Sequence, residues 1–325
     1  MRLGQLPGRE LQRRLQGDGL TLRTGPFGFR LRSPLPLVAQ GLAQLYAQMP
    51  LIDDGRFIDF SLDIQHGSGL HRWLRPQACF RFDGQAVFEP LPAGHAYPLL
   101  EWAMNWCIST HAHQYLILHA AVLERGGGAL LMPAPPGSGK STLCAALALS
   151  GWRLLSDELA LVSVSDGRIW PLCRPVGLKN ASIDVIRGFA PHAEISRVTQ
   201  GTAKGSVAHM KVPDAHVARM DEAAKTRWVV FPRFQAGAST MLARRPRADT
   251  LVELARNAFN IAVQAEAGFH MLADMVEGAG CFDFRYSSLP EAVASFDCLA
   301  GGELLPAGRL ASTADPLAQT LVVTP

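Results

Sequence analysis

Apolar and polar positions along this chain recur with two periods, and the two periods separate strands from helices. Residues 57–64 (FIDFSLDI) alternate with period two, as a half-buried strand does. Residues 20–32 alternate more loosely around two glycines and predict a hairpin. Short apolar runs at 79–82 and 86–88 flank Asp83-Gly84, a second hairpin turn. Helical spacing is clearest at 37–49 (LVAQGLAQLYAQM) and in the Trp- and Leu-rich stretch 97–112. Residues 1–18 read as a polar, Arg-rich lead-in with a frayed helix.

The middle of the chain is more apolar. Residues 115–124 (YLILHAAVLE) and 129–132 predict buried strands separated by a glycine turn. The Ala- and Leu-rich run that ends at Gly151 predicts a helix closed by that glycine. A short strand at 152–155 follows, then a hairpin of 159–164 and 168–172 around Asp166-Gly167. Beyond 173 the pattern loosens. Residues 175–191 mix turn signals with one helical fragment, and 199–213 (TQGTAKGSVAHMKVP) read as a mobile loop. Strands are expected at 227–231 and 281–286, with helices at 250–265 and 267–277. No internal repeat is present. The alternation of strand and helix signals predicts an α/β protein with a central mixed sheet flanked by helices. A smaller α/β module is expected at 1–95, for substrate or partner binding. The catalytic domain is expected at 96–300 and a flexible tail at 301–325.

Composition removes several classes of function. The 325 residues are 48% hydrophobic and 18% charged, which excludes disorder as a description of the whole chain. The net charge of +3 is too mild for a nucleic-acid binder, and Arg244, Arg245 and Arg247 read as a solvated surface cluster. No run approaches the length of a membrane span, and the N-terminus has no signal-peptide core. The six cysteines lack zinc-finger spacing and read as reduced thiols of a cytoplasmic protein.

One segment carries chemistry. Residues 134–141 read A-P-P-G-S-G-K-S, a phosphate-loop pattern with alanine in place of the first glycine, set between a strand and a helix. Small residues let such a loop wrap a phosphate chain. Its N–H groups, with the helix N-terminus, then face the anion. Pro136, Gly137, Ser138, Gly139, Lys140, Ser141 and Thr142 are the expected nucleotide-binding residues. Lys140 would reach the β- and γ-phosphates of ATP, and Ser141 would ligate Mg²⁺. The plain alternative is a Gly-Ser turn that happens to precede a helix. Asp157-Glu158, at the end of the following strand, reads as a Walker B-like pair. One carboxylate would hold Mg²⁺, and one would accept a proton from an attacking hydroxyl. Its alternative is a cap at a strand end. On periodicity alone His119 is a core residue of an apolar strand.

The order L-H-A-A-V-L, then G-K-S, then S-D-E resembles the catalytic core of the HPr kinase/phosphorylase family, over about residues 119–160. The segments LEWAMNWCIS, RPVGLKN, KGSVAHMKVP and LARNAFN resemble a narrower branch, the HPr kinase-related (HprK-related kinase A) proteins. The resemblance implies a P-loop kinase fold of the HPr kinase/PEP carboxykinase type, with ATP and Mg²⁺ as cofactors. It makes His119 an active-site residue that orients Asp157 or contacts phosphate. It makes Asp157 the base, Lys140 the phosphate ligand, and Ser141, Asp157 and Glu158 the metal ligands. It implies phosphorylation of a Ser or Thr hydroxyl on a peptide or small protein, with small peptide-binding chaperones as partners of some members, and an oligomer. Ala134, Thr142 and Glu158 depart from the family's usual residues, and no Gly-rich signature follows the acidic pair. The expectation is therefore a kinase without phosphorylase activity. Arg174, Lys179, Lys204, Arg233 and His209 are candidates to complete a charge clamp. Small-molecule phosphoryl transfer and a non-catalytic ATP-binding scaffold are the rival readings.

Overall fold

The computed structural model describes residues 1–52, 57–69, 74–135 and 137–302. In chain order the elements are α1 (Gly8–Gln16), β1 (Leu20–Thr24), β2 (Phe27–Arg32), α2 (Pro36–Leu45), β3 (Phe60–His66), β4 (Gln77–Phe82), β5 (Gln85–Ala86), β6 (Leu91–Pro92) and α3 (Ala96–His111). Then come β7 (Tyr115–Arg125), β8 (Gly128–Pro133), α4 (Lys140–Leu149), β9 (Arg153–Ser156), β10 (Leu159–Ser163), β11 (Arg168–Trp170), β12 (Val176–Lys179), α5 (Ala181–Phe189), β13 (Thr199–Thr202) and β14 (Gly205–Met210). The last are α6 (Asp214–Ala218), β15 (Ala224–Phe234), β16 (Met241–Arg244), α7 (Arg247–Arg256), α8 (Ile261–Glu277), β17 (Gly280–Tyr286) and α9 (Leu289–Gly301). The result is a mixed α/β protein with several sheets.

The chain forms two compact units. The first is Met1–Ala112 with Leu172–Asp184 and His192–Asp221; the second is His113–Pro171 with Val185–Pro191 and the chain from Glu222. The first unit takes in more of the chain than the 1–95 module read from sequence. Helix α3 belongs to it because Trp106 packs edge-on against Phe80 and Phe82 of β4, with ring centroids 5.8 and 5.5 Å apart. Of the expected 301–325 tail, residues 303–325 lie outside the described residues.

In the first unit, β1 to β5 lie in sequence order in one sheet, with β6 also on β4. The expected hairpin at 20–32 is β1–β2, in register Leu20 to Leu31. A smaller antiparallel sheet has the order β12-β14-β13. Here the sequence expectation fails: residues 199–213 are mostly strand. Ala203 and Lys204 form the turn between β13 and β14, which Gly205 follows. Gly205 has φ +82, and a Cβ there would lie 2.2 Å from the Asn180 Oδ1, which accepts the Ser206 N–H at 3.0 Å. The lead-in also holds a formed helix, α1, which buries Leu11 and Leu15.

The second unit is built on an eight-stranded sheet of order β11-β10-β7-β8-β15-β17-β16, with β9 on the far half of β7. Strands β8, β15 and β17 run parallel to one another, and β7, β10 and β16 are antiparallel to their neighbours. Strand β8 (GALLMP) is buried along its whole length, as a parallel strand covered on both faces must be. One face packs on α7 and α8 through Leu116, Leu118, Leu131, Val229, Leu254 and Leu272. On the other face Trp152 meets Phe296 of α9 edge-on at 6.1 Å, and Phe284 meets it at 4.8 Å. Each fully buried Leu or Phe here contributes roughly 1.5–3 kcal/mol relative to exposure. The helix expected at 250–265 is two, because residues 257–260 leave the helix to bond with β7. Among the described residues no helix is long and apolar enough to cross a membrane. All six cysteines are free, four of them buried.

Candidate functional site

The site begins where β8 ends. After Pro133 the chain turns through a tight loop and re-enters helix α4 at Lys140. Gly137 (φ +84) and Gly139 (φ +87) are both in the left-handed region. A Cβ on Gly139 would lie 2.5 Å from the Tyr286 hydroxyl and 2.8 Å from the Phe234 Cβ, so only glycine fits. The loop is strapped to the ends of two neighbouring parallel strands. The Phe234 N–H of β15 donates to the Ser138 carbonyl (2.8 Å), and the Tyr286 hydroxyl of β17 donates to the Gly139 carbonyl (3.0 Å). Burial pushes the Tyr286 phenol up, so it remains a donor at neutral pH. Pro136 lies outside the described residues.

Helix α4 has Gly139 as its N-cap and no capping side chain. The Lys140 N–H goes to the Ser138 hydroxyl (3.4 Å) and the Leu143 N–H closes the first helical bond, to the Gly139 carbonyl (3.0 Å). The N–H groups of half-buried Ser141 and Thr142 belong to the first turn, which has no intrahelical acceptors. This end of the helix therefore presents donors and partial positive charge together.

The sheet brings the other expected residues to the same place. His119 on β7 stands opposite Leu159 of β10, and the next residue, Ala120, donates its N–H to the Glu158 carbonyl (3.1 Å). The Asp157-Glu158 bend is thus tied to the backbone beside His119. The Ser156 hydroxyl holds the bend, accepting the Leu159 N–H at 3.0 Å. Lys140 is 7% exposed and places Nζ 3.1 Å from the His119 Nε2. A charged ammonium only donates, so in this contact the ring nitrogen is the acceptor of a lysine N–H. Cys144, one helical turn beyond Lys140, reports the same cluster. Its thiol is pushed up by burial first and by the Asp157 carboxylate next, against the opposing pull of Lys140. Asp157 and Glu158 are half-buried.

Four features escaped the sequence reading. The segment after α7 completes β7 beside the histidine: His119 N–H donates to the Asn257 carbonyl (2.7 Å), Phe259 N–H to the Ile117 carbonyl (2.9 Å), and Ile117 N–H to the Asn260 Oδ1 (2.9 Å). Phe259 then stands 6.0 Å from the His119 ring, half-exposed. Tyr286 and Phe234 brace the loop. Finally, Arg285 on β17 is the register partner of the expected Arg233 on β15, two residues beyond Asp283 and Phe231. Two asparagines interrupting the apolar period at 257 and 260 are the signal that could have revealed the first of these.

Of the expected charge-clamp residues, Arg174, Lys179, Lys204 and His209 lie in the first unit and Arg233 in the second. Arg174 lies in the first unit, 5% exposed, with Nη2 on the Glu101 carboxylate (2.7 Å) and carbonyl (2.8 Å) and Nη1 on Asn105 (2.6 Å). Its donors are spent on structure. Tyr46 and Tyr97 donate to the same carboxylate, at 2.9 and 2.5 Å. His209 is a buried residue of β14, edge-on to Tyr97, and not part of a loop. Lys204 lies 5.4 Å over the Trp102 ring, and Lys179 is an exposed end of β12. Arg233 alone of these candidates belongs to the strand that braces the loop.

Fold and site together define a mixed α/β protein with a glycine loop, a buried lysine against a half-buried histidine, and an acidic bend beside the middle strands of its larger sheet. No family model matches the chain, and no curated protein does. Among solved structures, the Hpr(Ser) kinase/phosphatase from Coxiella burnetii is similar over 57% of this chain and 94% of that one, at 10% identity and a TM-score of 0.27. A likeness of that size carries no argument about fold or function.

Proposed function

We propose that the protein is an ATP-dependent phosphotransferase of the P-loop kinase type, acting on a Ser or Thr hydroxyl of a peptide or small protein. The observation that carries this reading is the Lys140–His119 contact of 3.1 Å beside a loop with two glycines in the left-handed region. A polyphosphate fits the residues present: the loop has no room for a Cβ at Gly139, the helix end is uncapped, and a cation is placed beside it. A divalent ion would be held by the Ser141 hydroxyl and the Asp157 and Glu158 carboxylates together with nucleotide oxygens and water. No group of three or more His, Cys, Asp or Glu among the described residues could hold one alone, and Mg²⁺ bound to nucleotide does not need such a group. When bound, Mg-ATP supplies the phosphoryl group and charge neutralisation on it.

This chain's own residues do the rest. The N–H groups of the loop and of Ser141 and Thr142 hold the phosphate chain. Lys140 offsets charge on the transferring group, and His119 fixes the direction of its ammonium. Asp157 takes the proton from the acceptor hydroxyl. Arg233 and Arg285 extend the positive field along the ends of β15 and β17. The branch resemblance of the sequence is what favours a peptide acceptor, and the six cysteines read as reduced thiols are what favour a cytoplasmic setting.

Equilibrium titration with Mg-ATP tests the reading at its first step. Wild type should bind, and Lys140→Ala should weaken binding by at least ~10-fold, the loss of about 1.4 kcal/mol. Equal binding by both would remove the loop from the account.

A further inference from the structure

The first unit contains a cavity of ≈ 510 Å³ that the proposed transfer reaction does not use. One wall is a single face of α2, where Leu37, Gln40, Gly41 and Gln44 recur at helical spacing. The opposite wall is the segment from Ser196 to Gln200, every residue of which lines the cavity. Thr199 and Gln200 of this run open β13, and Ser196 to Val198 lead into it along β14.

The backbone of this run is a sheet edge. Among the described residues, the order β12-β14-β13 leaves β13 bonded on one side only. Ser196 turns its N–H inward to the His209 carbonyl (2.8 Å), and Thr199 pairs with Val207. Residues 197 and 198 lie between those two inward contacts, and the ladder has an irregularity there. Side chains hold the edge at both ends: Gln44 Nε2 donates to the Ile195 carbonyl (3.3 Å) and His95 Nε2 to the Gln200 carbonyl (3.0 Å). Between them, among the described residues, no protein group bonds the Arg197 N–H or either backbone group of Val198. Unpaired edge groups of this kind accept a further strand.

Charge narrows the occupant. The lining includes Arg197, His95 and His209 and contains neither Asp nor Glu. The Arg197 guanidinium is exposed and makes no ion pair among the described residues. Glu101, which accepts from the Tyr97 hydroxyl of the lining at 2.5 Å, is already matched by Arg174 at 2.7 Å. The volume lies within the range of about 300–1,000 Å³ typical of ligand sites.

We propose that this cleft binds an extended, acidic peptide segment, which adds as a strand beside residues 197–198 and places a carboxylate on Arg197. The site stands independently of nucleotide binding, so the test is run without ATP. The full-length protein is titrated with the blocked peptide Glu-Val-Glu-Val-Glu, its Lys-Val-Lys-Val-Lys counterpart, a backbone N-methylated copy of the acidic peptide, and free glutamate. The acidic peptide should bind at least ~10-fold tighter than the other three probes, a difference of about 1.4 kcal/mol. Arg197→Glu, at an exposed position, should abolish that preference. Gly94→Trp should block binding, since Gly94 lines the cleft and a Cβ there meets no atom within 4 Å. Overturning results are equal binding of both charges, indifference to N-methylation, glutamate binding as tightly as the peptide, or no binding of the acidic peptide at all.

Discussion

Two cations in this chain are held out of water in opposite ways. Arg174, in the first unit, is 5% exposed and is answered by Glu101, Asn105 and Tyr46 at once. Glu101 is itself 3% exposed and takes bonds from Tyr46 and Tyr97. That cluster is closed, and a closed buried pair specifies structure. Lys140, in the second unit, is 7% exposed, but its neighbourhood opens outward: an imidazole, a glycine loop, an uncapped helix end and two half-buried carboxylates. Burial of a charge does not by itself mark a site; what marks it is a buried charge set among groups a ligand can reach.

The sharpest way to break that contrast is to exchange the roles. Asp157→Asn should lower the rate of phosphoryl transfer by roughly 10²–10⁴-fold while Mg-ATP is still bound, in single-turnover assays against direct binding. Glu101→Gln, by contrast, should leave the rate within a few-fold where the protein remains folded. On stability the order reverses. Arg174→Ala should cost about 3–5 kcal/mol in urea unfolding, because it strands a buried carboxylate. Lys140→Ala should shift the same midpoint far less.

Next in size is the loop. Gly139→Ala puts a Cβ at φ +87 and 2.5 Å from the Tyr286 hydroxyl, and should cost about 1–3 kcal/mol together with nucleotide affinity. Tyr286→Phe removes one bond to the Gly139 carbonyl and should cost about 0.5–1.5 kcal/mol, with the loop otherwise intact. The smallest effect is on acid stability. Burial pushes the Glu101 carboxyl up, but Arg174, then His209 and the Tyr97 hydrogen bond, outweigh it and hold the pKa below its ordinary 4.5. A carboxyl depressed on folding stabilises above its unfolded pKa, and that stability is lost as pH falls through the folded value. Stability should therefore fall on acidification below about pH 4.5, and Glu101→Gln should flatten that part of the profile.

The contrast also explains what could be read from the residues. The loop glycines, Lys140 and the strand–loop–helix order are local, and the sequence carries them openly. His119 is invisible to periodicity, because a half-buried strand residue looks like core; only its resemblance to a family pattern singled it out. Arg174 was misread for the reverse reason: its partners Glu101 and Tyr46 are far away in sequence, and no local pattern announces a buried ion pair. The break between α7 and α8 was missed because the bonds from 257–260 to β7 are tertiary. The hairpin at 199–210 was hidden by the glycines on either side of its turn.

The measurement that bears most directly on the central claim is transfer of label from γ-labelled ATP with Mg²⁺ to the peptides encoded beside this protein's own gene, using wild type and Asp157→Asn. The account predicts label on a Ser or Thr of one peptide with wild type, and none with a variant that still binds the nucleotide. Label transferred equally by both proteins, or ATP bound by wild type and never transferred to any peptide, would contradict it.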